Sequence, residues 1–273
     1  MEEVARFPLI DVHSHWNGPM SGELLQAMNA AGIRRMVVFG GEDAARLARQ
    51  QPDRFVASYT GLLGARRKAM GGGTDLEVTE RVGAEFEQAL KSGLYKGLGE
   101  ISTYHPAYSA DPIAPDSPLI LRFLDLAGRY GVPIIIHCMD SGVSEMARAL
   151  RAHPKTTVIW AHTGGLSPLV IRDFLSDHPN LYFDLSATHP PWPRRRYPIL
   201  SFGATIDENW QQLFEEYPDR FLIGFDFSAL RGRGTPISAA REAGEFFRSA
   251  LSQITPTTAR KVAYENAQRL YKL

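Results

Sequence analysis

Two histidines separated by one residue, His13 and His15, end the apolar stretch LIDVHSHW near the beginning of the chain. Alternate residues of a β-strand point to the same face, so the two imidazoles can enter one space. Imidazoles are common ligands of Zn²⁺ and similar divalent ions. The pair alone is weak evidence, because a chain with 8 histidines in 273 residues contains about 0.2 such pairs by chance.

Further titratable residues recur at or next to the ends of other apolar segments. They are Glu100 in YKGLGEI, His137 in VPIIIHC, His162 in TTVIWAH and Asp226 in RFLIGFD. Four imidazoles and two carboxylates are more than one zinc ion needs, which implies either a second metal or a general base. Two cations need a carboxylate bridge, and we assign that bridge to Glu100. The alternative is that these are structural histidines and capping carboxylates.

Short segments rich in Val, Ile, Phe and Tyr predict the elements that position these residues. Eight strands are predicted, over 7–13, 34–40, 55–61, 95–101, 132–138, 156–162, 181–187 and 220–226. Amphipathic segments predict helices over 21–31, 42–51, 77–92, 117–130, 142–152, 167–178, 206–217 and 256–270.

This alternation predicts an α/β fold, a (β/α)₈ TIM barrel that forms a single domain over 1–273. A doubly wound open sheet is the alternative, but its glycine fingerprint is missing. In a barrel the carboxyl ends of the strands form the catalytic rim. We therefore expect the six candidate ligands to converge at one mouth.

The composition excludes several classes of protein. Lys plus Arg and Asp plus Glu are both 30, so the net charge indicates neither a nucleic-acid partner nor a membrane surface. The N-terminal residues MEEVARFPLI lack the pattern of a signal peptide, and no apolar run reaches about 18 residues. The single cysteine, Cys138, fits a reducing compartment. We expect a cytoplasmic protein that acts on a small molecule, with a homo-oligomer left open.

The motifs DVHSHW, GLGEIS, IIIHC, WAHTGG, LIGFDFS and the terminal YENAQRLYKL resemble the amidohydrolase superfamily. The similarity is to its amidohydrolase-related branch of TIM-barrel metal-dependent hydrolases, and it extends from residue 9 to residue 273 in the order of the family. The resemblance implies one or two divalent cations per chain, with Zn²⁺ as the expected metal.

The resemblance also implies roles for the six residues. His13 and His15 would bind the metal together with Asp226, which would also take a proton from a metal-bound water. His137 resembles a further ligand. His162 resembles either a ligand of a second metal or a residue that polarises the substrate. Glu100 resembles a strand-four glutamate present in other members of the superfamily.

Other residues are candidates for contacting the substrate. Arg231 and Arg233 follow the eighth strand, and guanidinium groups bind carboxylates or phosphates well, so we predict an anionic substrate. An ordinary solvated surface is the alternative. His105 and His189 lie in loops near the predicted mouth and are further substrate-binding candidates. Asp184 on the seventh strand is placed to bond a ligand histidine or a neighbouring strand.

Three functions remain open from the sequence. The leading one is a hydrolase that uses a metal-activated water on an amide, ester, lactone or phosphoester. The second is a metal-dependent decarboxylase, since the same branch includes such lyases, which generally use one metal. The third is a barrel that binds a metal or ligand without catalysis, and six buried polar groups at one mouth argue against it.

Overall fold

The computed structural model of the protein describes residues 7–15, 22–60, 73–105, 110, 112–189, 197–201, 204–227 and 236–273. Eight parallel strands form one sheet in sequence order: β1 (Leu9–His15), β2 (Ile33–Gly40), β3 (Phe55–Tyr59), β4 (Tyr95–Ser102), β5 (Ile134–His137), β6 (Val158–Trp160), β7 (Leu181–Asp184) and β8 (Phe221–Leu222). The Val12 N–H donates to the Ile223 carbonyl at 2.9 Å, which brings the segment after β8 against β1. The predicted (β/α)₈ barrel is confirmed.

The described helices surround this sheet. They are α1 (Gly22–Ala31), α2 (Glu42–Gln50), α3 (Leu76–Lys91), α4 (Pro118–Tyr130), α5 (Val143–Ala152), α6 (Pro168–Asp177), α7 (Glu208–Glu216), α8 (Pro236–Leu251), α9 (Pro256–Arg260) and α10 (Asn266–Tyr271). A π-helical turn over Lys261–Glu265 joins α9 to α10, so the predicted helix 256–270 is continuous. Among the described residues, no helix is both long and apolar enough to cross a bilayer.

Helix α8 is absent from the sequence prediction. Its buried face is formed largely by small residues, Ala239, Ala240 and Ala243, whose apolar signal is weak. The helix packs against α1, and a Cβ at Gly244 would lie 2.6 Å from the Ala31 carbonyl oxygen. Close packing of the two backbones, together with the buried side chains of Phe247 and Leu251, therefore holds α8 in place.

Apolar side chains fill the interior of the barrel below its mouth. A buried cluster contains residues from most of the strands and from α10: Ile10, Val12, Val37, Phe39, Val56, Ile135, Ile159, Ala161, Tyr182, Leu222, Ala267 and Tyr271. A larger cluster packs the outer faces of the strands against the helices. The interior below the mouth is thus a packed core.

Candidate metal centre

A bulge in β1 directs both early histidines inward. Asp11 pairs with Met36 and Ser14 with Val38, so three residues of β1 span two residues of β2. One extra residue reverses the alternation of faces along a strand. Val12 therefore packs in the interior cluster, and the next residue, His13, also faces inward, where its ring lies 4.9 Å from that of Phe39.

A second bulge in β4 positions Glu100. Leu98 pairs with Ile134 and Ile101 with Ile136, again three residues against two. Gly99 within the bulge has φ 111°, and a Cβ there would lie 2.4 Å from a backbone oxygen of β5. Only glycine fits this position. The bulge turns Glu100 towards the barrel axis, where 8% of its side chain is exposed.

Glu100 lies at the centre of the four predicted histidine ligands. Its Oε2 is 2.9 Å from His15 Nε2. Its Oε1 is 2.7 Å from His137 Nδ1 and 3.2 Å from His162 Nε2. The same oxygen is 3.6 Å from His13 Nε2. Histidines from three strands or strand ends thus converge on the carboxylate of a fourth strand, as their positions in the sequence predict.

His162 and Asp226 lie beyond the strands that the sequence predicts them to end. β6 stops at Trp160 and β8 at Leu222, and the two residues adopt left-handed backbone conformations with φ 56° and φ 49°. Such conformations cost about 1–3 kcal/mol in residues other than glycine. The Asp226 N–H donates to the His13 carbonyl at 2.7 Å, and its Oδ1 lies 3.9 Å from His15 Nε2.

Asp184, whose partner the sequence leaves open, bonds a predicted ligand. Its Oδ2 is 3.0 Å from His13 Nδ1, and its Oδ1 accepts from the His162 backbone N–H at 3.1 Å. Both oxygens are buried. A carboxylate on the rear nitrogen of a ligand histidine is a common arrangement in metal sites, because it fixes the orientation of the ring.

Asp11 is a supporting residue that sequence reasoning missed. Its Oδ1 accepts the backbone N–H groups of His13 at 2.9 Å and of Phe225 at 3.0 Å. Its Oδ2 accepts from the Ser14 hydroxyl at 2.5 Å. The fully buried carboxylate joins β1 to the segment that carries Asp226. An acidic residue inside an apolar strand, two positions before His13, is the signal that identifies it.

The charged groups in this cluster shift one another's pKa values. Burial alone would raise the pKa of Glu100, but the surrounding imidazoles hold it well below its usual range. Burial likewise disfavours protonated His13, yet the carboxylates of Asp184 and Glu100 outweigh it and raise the pKa of His13 to about 10. Burial opposes ionisation of Asp184, but His13 lowers its pKa to about 2. Burial lowers the pKa of His137.

The donor atoms fit a divalent cation. The buried nitrogens His13 Nε2 and His137 Nε2 have no hydrogen-bond partner among the described residues. Three groups of three possible ligand atoms lie within 4.8 Å of one another: His13, His15 and Glu100; Glu100, His137 and His162; and His13, His162 and Asp184. Buried polar atoms without a partner are costly, so their presence here indicates a ligand that supplies the partner.

The predicted substrate-binding residues are distributed differently. The ring of His105 lies 4.2 Å from that of His137, next to the cluster. His189 is buried, and its Nε2 lies 3.1 Å from the Phe225 carbonyl, beside Asp226. Arg231 and Arg233 lie outside the described residues. A role of these four residues in substrate binding stays a prediction.

Comparison with known proteins agrees with this architecture. The family profile described as Amidohydrolase matches residues 10–273. The chain therefore belongs to the amidohydrolase family, within a superfamily of metal-dependent TIM-barrel enzymes that act on small substrates. A search of curated proteins finds no match.

Solved structures share the fold over nearly the whole chain. An uncharacterised TIM-barrel protein from Bordetella bronchiseptica has a TM-score of 0.68 and 20% identity, covering 97% of this chain and 98% of the other. A 2,6-dihydroxybenzoate decarboxylase from Rhizobium has a TM-score of 0.63 and 15% identity, covering 97% and 99%. A probable 2-pyrone-4,6-dicarboxylic acid hydrolase from Acinetobacter baumannii has a TM-score of 0.63 and 12% identity, also covering 97% and 99%. At these identities the similarity shows the fold alone.

Proposed function

We propose that the protein is a metal-dependent hydrolase that opens an amide, ester, lactone or phosphoester bond of a small anionic substrate. One observation carries the proposal: Glu100 contacts all four imidazoles, its Oε2 lying 2.9 Å from His15 and its Oε1 within 3.6 Å of His13, His137 and His162. A carboxylate shared in this way suits a bridge between two cations. Two-cation sites stabilise both the attacking and the leaving oxygen in a displacement.

The residues divide into two ligand sets that share this bridge. His13, His15, Glu100 and Asp226 would hold one cation, and Glu100, His137 and His162 the second. Imidazole and carboxylate donors favour Zn²⁺. Among the structural neighbours, an amidohydrolase from Burkholderia multivorans contains zinc, and a dihydroxybenzoic acid decarboxylase from Polaromonas contains manganese. When bound, the cation lowers the pKa of water and polarises the substrate oxygen.

The side chains around the cations would move the proton and orient the substrate. We propose that Asp226 accepts a proton from the attacking water at Oδ1 and delivers it to the leaving group. His162 is either a ligand of the second cation or the group that polarises the substrate. Arg231, Arg233 and His105 would contact the anionic part of the substrate. The single cysteine supports a cytoplasmic location.

A decarboxylase is the second candidate. It is supported by the similarity to 2,6-dihydroxybenzoate decarboxylase, which covers both chains almost completely. In that case one cation would orient the substrate carboxylate, and Glu100 would stabilise the imidazoles rather than bridge two ions. The number of cations and the product therefore separate the two candidates.

The test uses the full chain reconstituted with Zn²⁺ or Mn²⁺. The amount of metal per chain is measured by mass spectrometry. Hydrolysis is assayed with carboxylated lactones, esters, amides and phosphoesters. Decarboxylation is assayed as the release of CO₂ from hydroxybenzoates. We expect two equivalents of metal and hydrolysis. One equivalent with CO₂ release would establish the decarboxylase, and a chain without metal would indicate a ligand-binding barrel.

A matched pair of variants tests the proton acceptor. Asp226→Asn keeps the shape of the side chain and removes its basicity, so kcat should fall at least about a hundredfold. The control Asp173→Asn makes the same change on the exposed face of α6 and should retain full activity. Equal activity of the two variants would remove Asp226 from the proposed mechanism.

A further inference from the structure

A carboxylate at the end of β7 and a hydroxyl two residues further on link two of the predicted ligands to each other. Asp184 contacts His13 Nδ1 through Oδ2 at 3.0 Å. Its Oδ1 accepts the backbone N–H groups of His162 at 3.1 Å and of Ser186 at 3.0 Å. Both Asp184 and Ser186 are fully buried. Neither lies among the residues that the sequence predicts as ligands, so their contacts require another explanation.

The hydroxyl of Ser186 lies between Asp184 and His162. Its Oγ contacts Asp184 Oδ1 and is 2.8 Å from His162 Nδ1. An ionised carboxylate can only accept hydrogen bonds, and a serine has one proton to donate. Ser186 therefore donates to Asp184, and its oxygen accepts from an N–H at His162 Nδ1. The same reasoning places a proton on His13 Nδ1, because its partner, Asp184 Oδ2, can only accept.

These protons determine what the other ring nitrogens offer. A neutral imidazole carries one proton, so a ring protonated at Nδ1 presents a lone pair at Nε2. Nε2 of His162 is 3.2 Å and Nε2 of His13 is 3.6 Å from Glu100 Oε1. Two lone-pair atoms at such distances repel each other unless a proton or a cation lies between them. In the metal-free site the raised pKa of His13 supplies a proton at its Nε2, and His137 Nδ1 is a further neighbour of His162 Nε2 at 3.1 Å. A cation that displaces a proton there would meet the lone pairs of both Nε2 atoms.

We propose that Asp184 and Ser186 are positioning residues that keep a proton on Nδ1 of both His13 and His162, so that each imidazole directs the Nε2 lone pair into the metal centre. The role of this arrangement in metal binding rests on the proposed function. The protonation of Nδ1 follows from the hydrogen bonds alone and does not depend on that function. It favours the interpretation of His162 as a ligand or proton acceptor over that of a hydrogen-bond donor to the substrate. Asp184 and Ser186 act only through the two histidines.

The first test reads the ring protons directly by ¹⁵N NMR of metal-free protein at about pH 8.5, above the ordinary imidazole pKa. A His162→Gln variant assigns the His162 signals. We expect a protonated Nδ1 in the wild type. Ser186→Ala removes the acceptor of this proton, so the ring should shift towards the Nε2–H tautomer that faces Glu100. The control Thr188→Ala removes a buried hydroxyl of the same segment, one that donates to the Leu185 carbonyl, and should match the wild type.

An unprotonated Nδ1 at His162 in the wild type would overturn the proposal, and this reading needs no variant to fold. An unchanged tautomer in Ser186→Ala would overturn it equally. These outcomes do not depend on metal binding. If the wild type binds neither Zn²⁺ nor Mn²⁺, the proposed function fails while the NMR measurement still decides the role of Ser186.

The second test measures Zn²⁺ affinity by competition with a chromophoric chelator. Loss of a residue that orients a metal ligand weakens binding about 10–100-fold, and we expect this for Ser186→Ala. Asp184→Asn should weaken binding more, because it disturbs both histidines and its amide can donate to His13 Nδ1, which selects the wrong tautomer. Thr188→Ala should stay within about twofold of the wild type. Wild-type affinity in Ser186→Ala would contradict the proposal.

Discussion

The two ends of the barrel interior are built from opposite kinds of side chain. At the carboxyl ends of the strands, a carboxylate and three buried imidazoles lie against one another beside the half-buried His15, and His162 and Asp226 adopt left-handed backbone conformations. At the other end, α10 closes the barrel with apolar residues and the ring of Tyr271. One end accumulates groups whose burial is costly, and the other supplies packing. The difference indicates that the mouth is organised for binding and that the opposite end stabilises the fold.

The largest expected effect comes from the centre of the mouth. Glu100→Gln keeps the size of the side chain but removes the charge that four histidines contact. Zn²⁺ affinity should fall by at least about a hundredfold, beyond the loss from a residue that only supports a ligand. Chelator competition measures this. The control Glu80→Gln, on an exposed position of α3, should bind as the wild type does. If Glu100→Gln bound Zn²⁺ as tightly as the wild type, the cluster at the mouth would not be the metal site of the proposed function.

Asp11 tests the junction between β1 and the segment after β8. Asp11→Ala leaves the backbone N–H groups of His13 and Phe225 buried without an acceptor. Each such group costs about 1–3 kcal/mol, so we expect a loss of several kcal/mol in the free energy of unfolding in urea. Asp11→Asn retains an acceptor oxygen, so its free energy of unfolding should fall by less. A loss below about 1 kcal/mol in Asp11→Ala would show that this carboxylate does not hold β1 to the segment after β8.

At the closed end, Gly97 tests the packing of the interior. A Cβ there would lie 3.0 Å from Tyr271 Cε1 and 3.3 Å from the Pro133 carbonyl oxygen. Gly97→Ala should therefore cost about 1–3 kcal/mol of unfolding free energy, the usual cost of overpacking, and leave Zn²⁺ affinity unchanged. The control Gly22→Ala adds a Cβ that meets only the end of Gln26 at 3.9 Å. Weakened metal binding in Gly97→Ala would show that the two ends are coupled.

The hydroxyl of Tyr271 is a buried polar group at the closed end of the barrel. It has no hydrogen-bond partner among the described residues. The same is true of two imidazole nitrogens at the mouth, His13 Nε2 and His137 Nε2. Among the described residues no set of ligand atoms surrounds it, so we expect its removal to relieve an unfavourable burial. Tyr271→Phe should leave the free energy of unfolding unchanged or raise it by up to about 2 kcal/mol. Destabilisation by more than about 1 kcal/mol in urea titrations would contradict this.

The smallest expected effect depends on pH. Glu215 on α7 accepts from the Thr255 N–H and from two threonine hydroxyls at the start of α9, and these bonds outweigh burial and lower its pKa. A carboxyl with a lowered pKa stabilises the fold above its unfolded value of about 4.5, and this contribution is lost as the pH falls through the folded value. Glu215→Gln should cost about 0.3–1 kcal/mol at pH 7.

The difference in unfolding free energy between the wild type and Glu215→Gln should therefore shrink as the pH is lowered below about 4.5. Urea titrations at pH 7 and at low pH measure it. A difference that stays constant across this range would mean that the charge of Glu215 contributes nothing at the start of α9.

Strand and helix positions were largely predictable, because each depends on a local apolar period. Helix α8 was not, because its alanine-rich face carries little of that signal. The ends of β6 and β8 also differ from the prediction, because the left-handed conformations of His162 and Asp226 depend on bonds to other strands. Residue chemistry pointed to the six candidate ligands, but the contribution of Ser186 had no signal in the sequence.

The order of the strands, the residue types at their carboxyl ends and the family of the chain could be read from the sequence alone. The direction in which those side chains point depends on the tertiary structure. The bulges in β1 and β4 exist only in relation to the neighbouring strands, because an extra residue is defined by what it pairs with. The bonds from Asp184 to His13 and to the His162 backbone likewise require three distant segments to meet. Periodicity is a local property of a chain, whereas the protonation and direction of a ligand are set by contacts across the barrel.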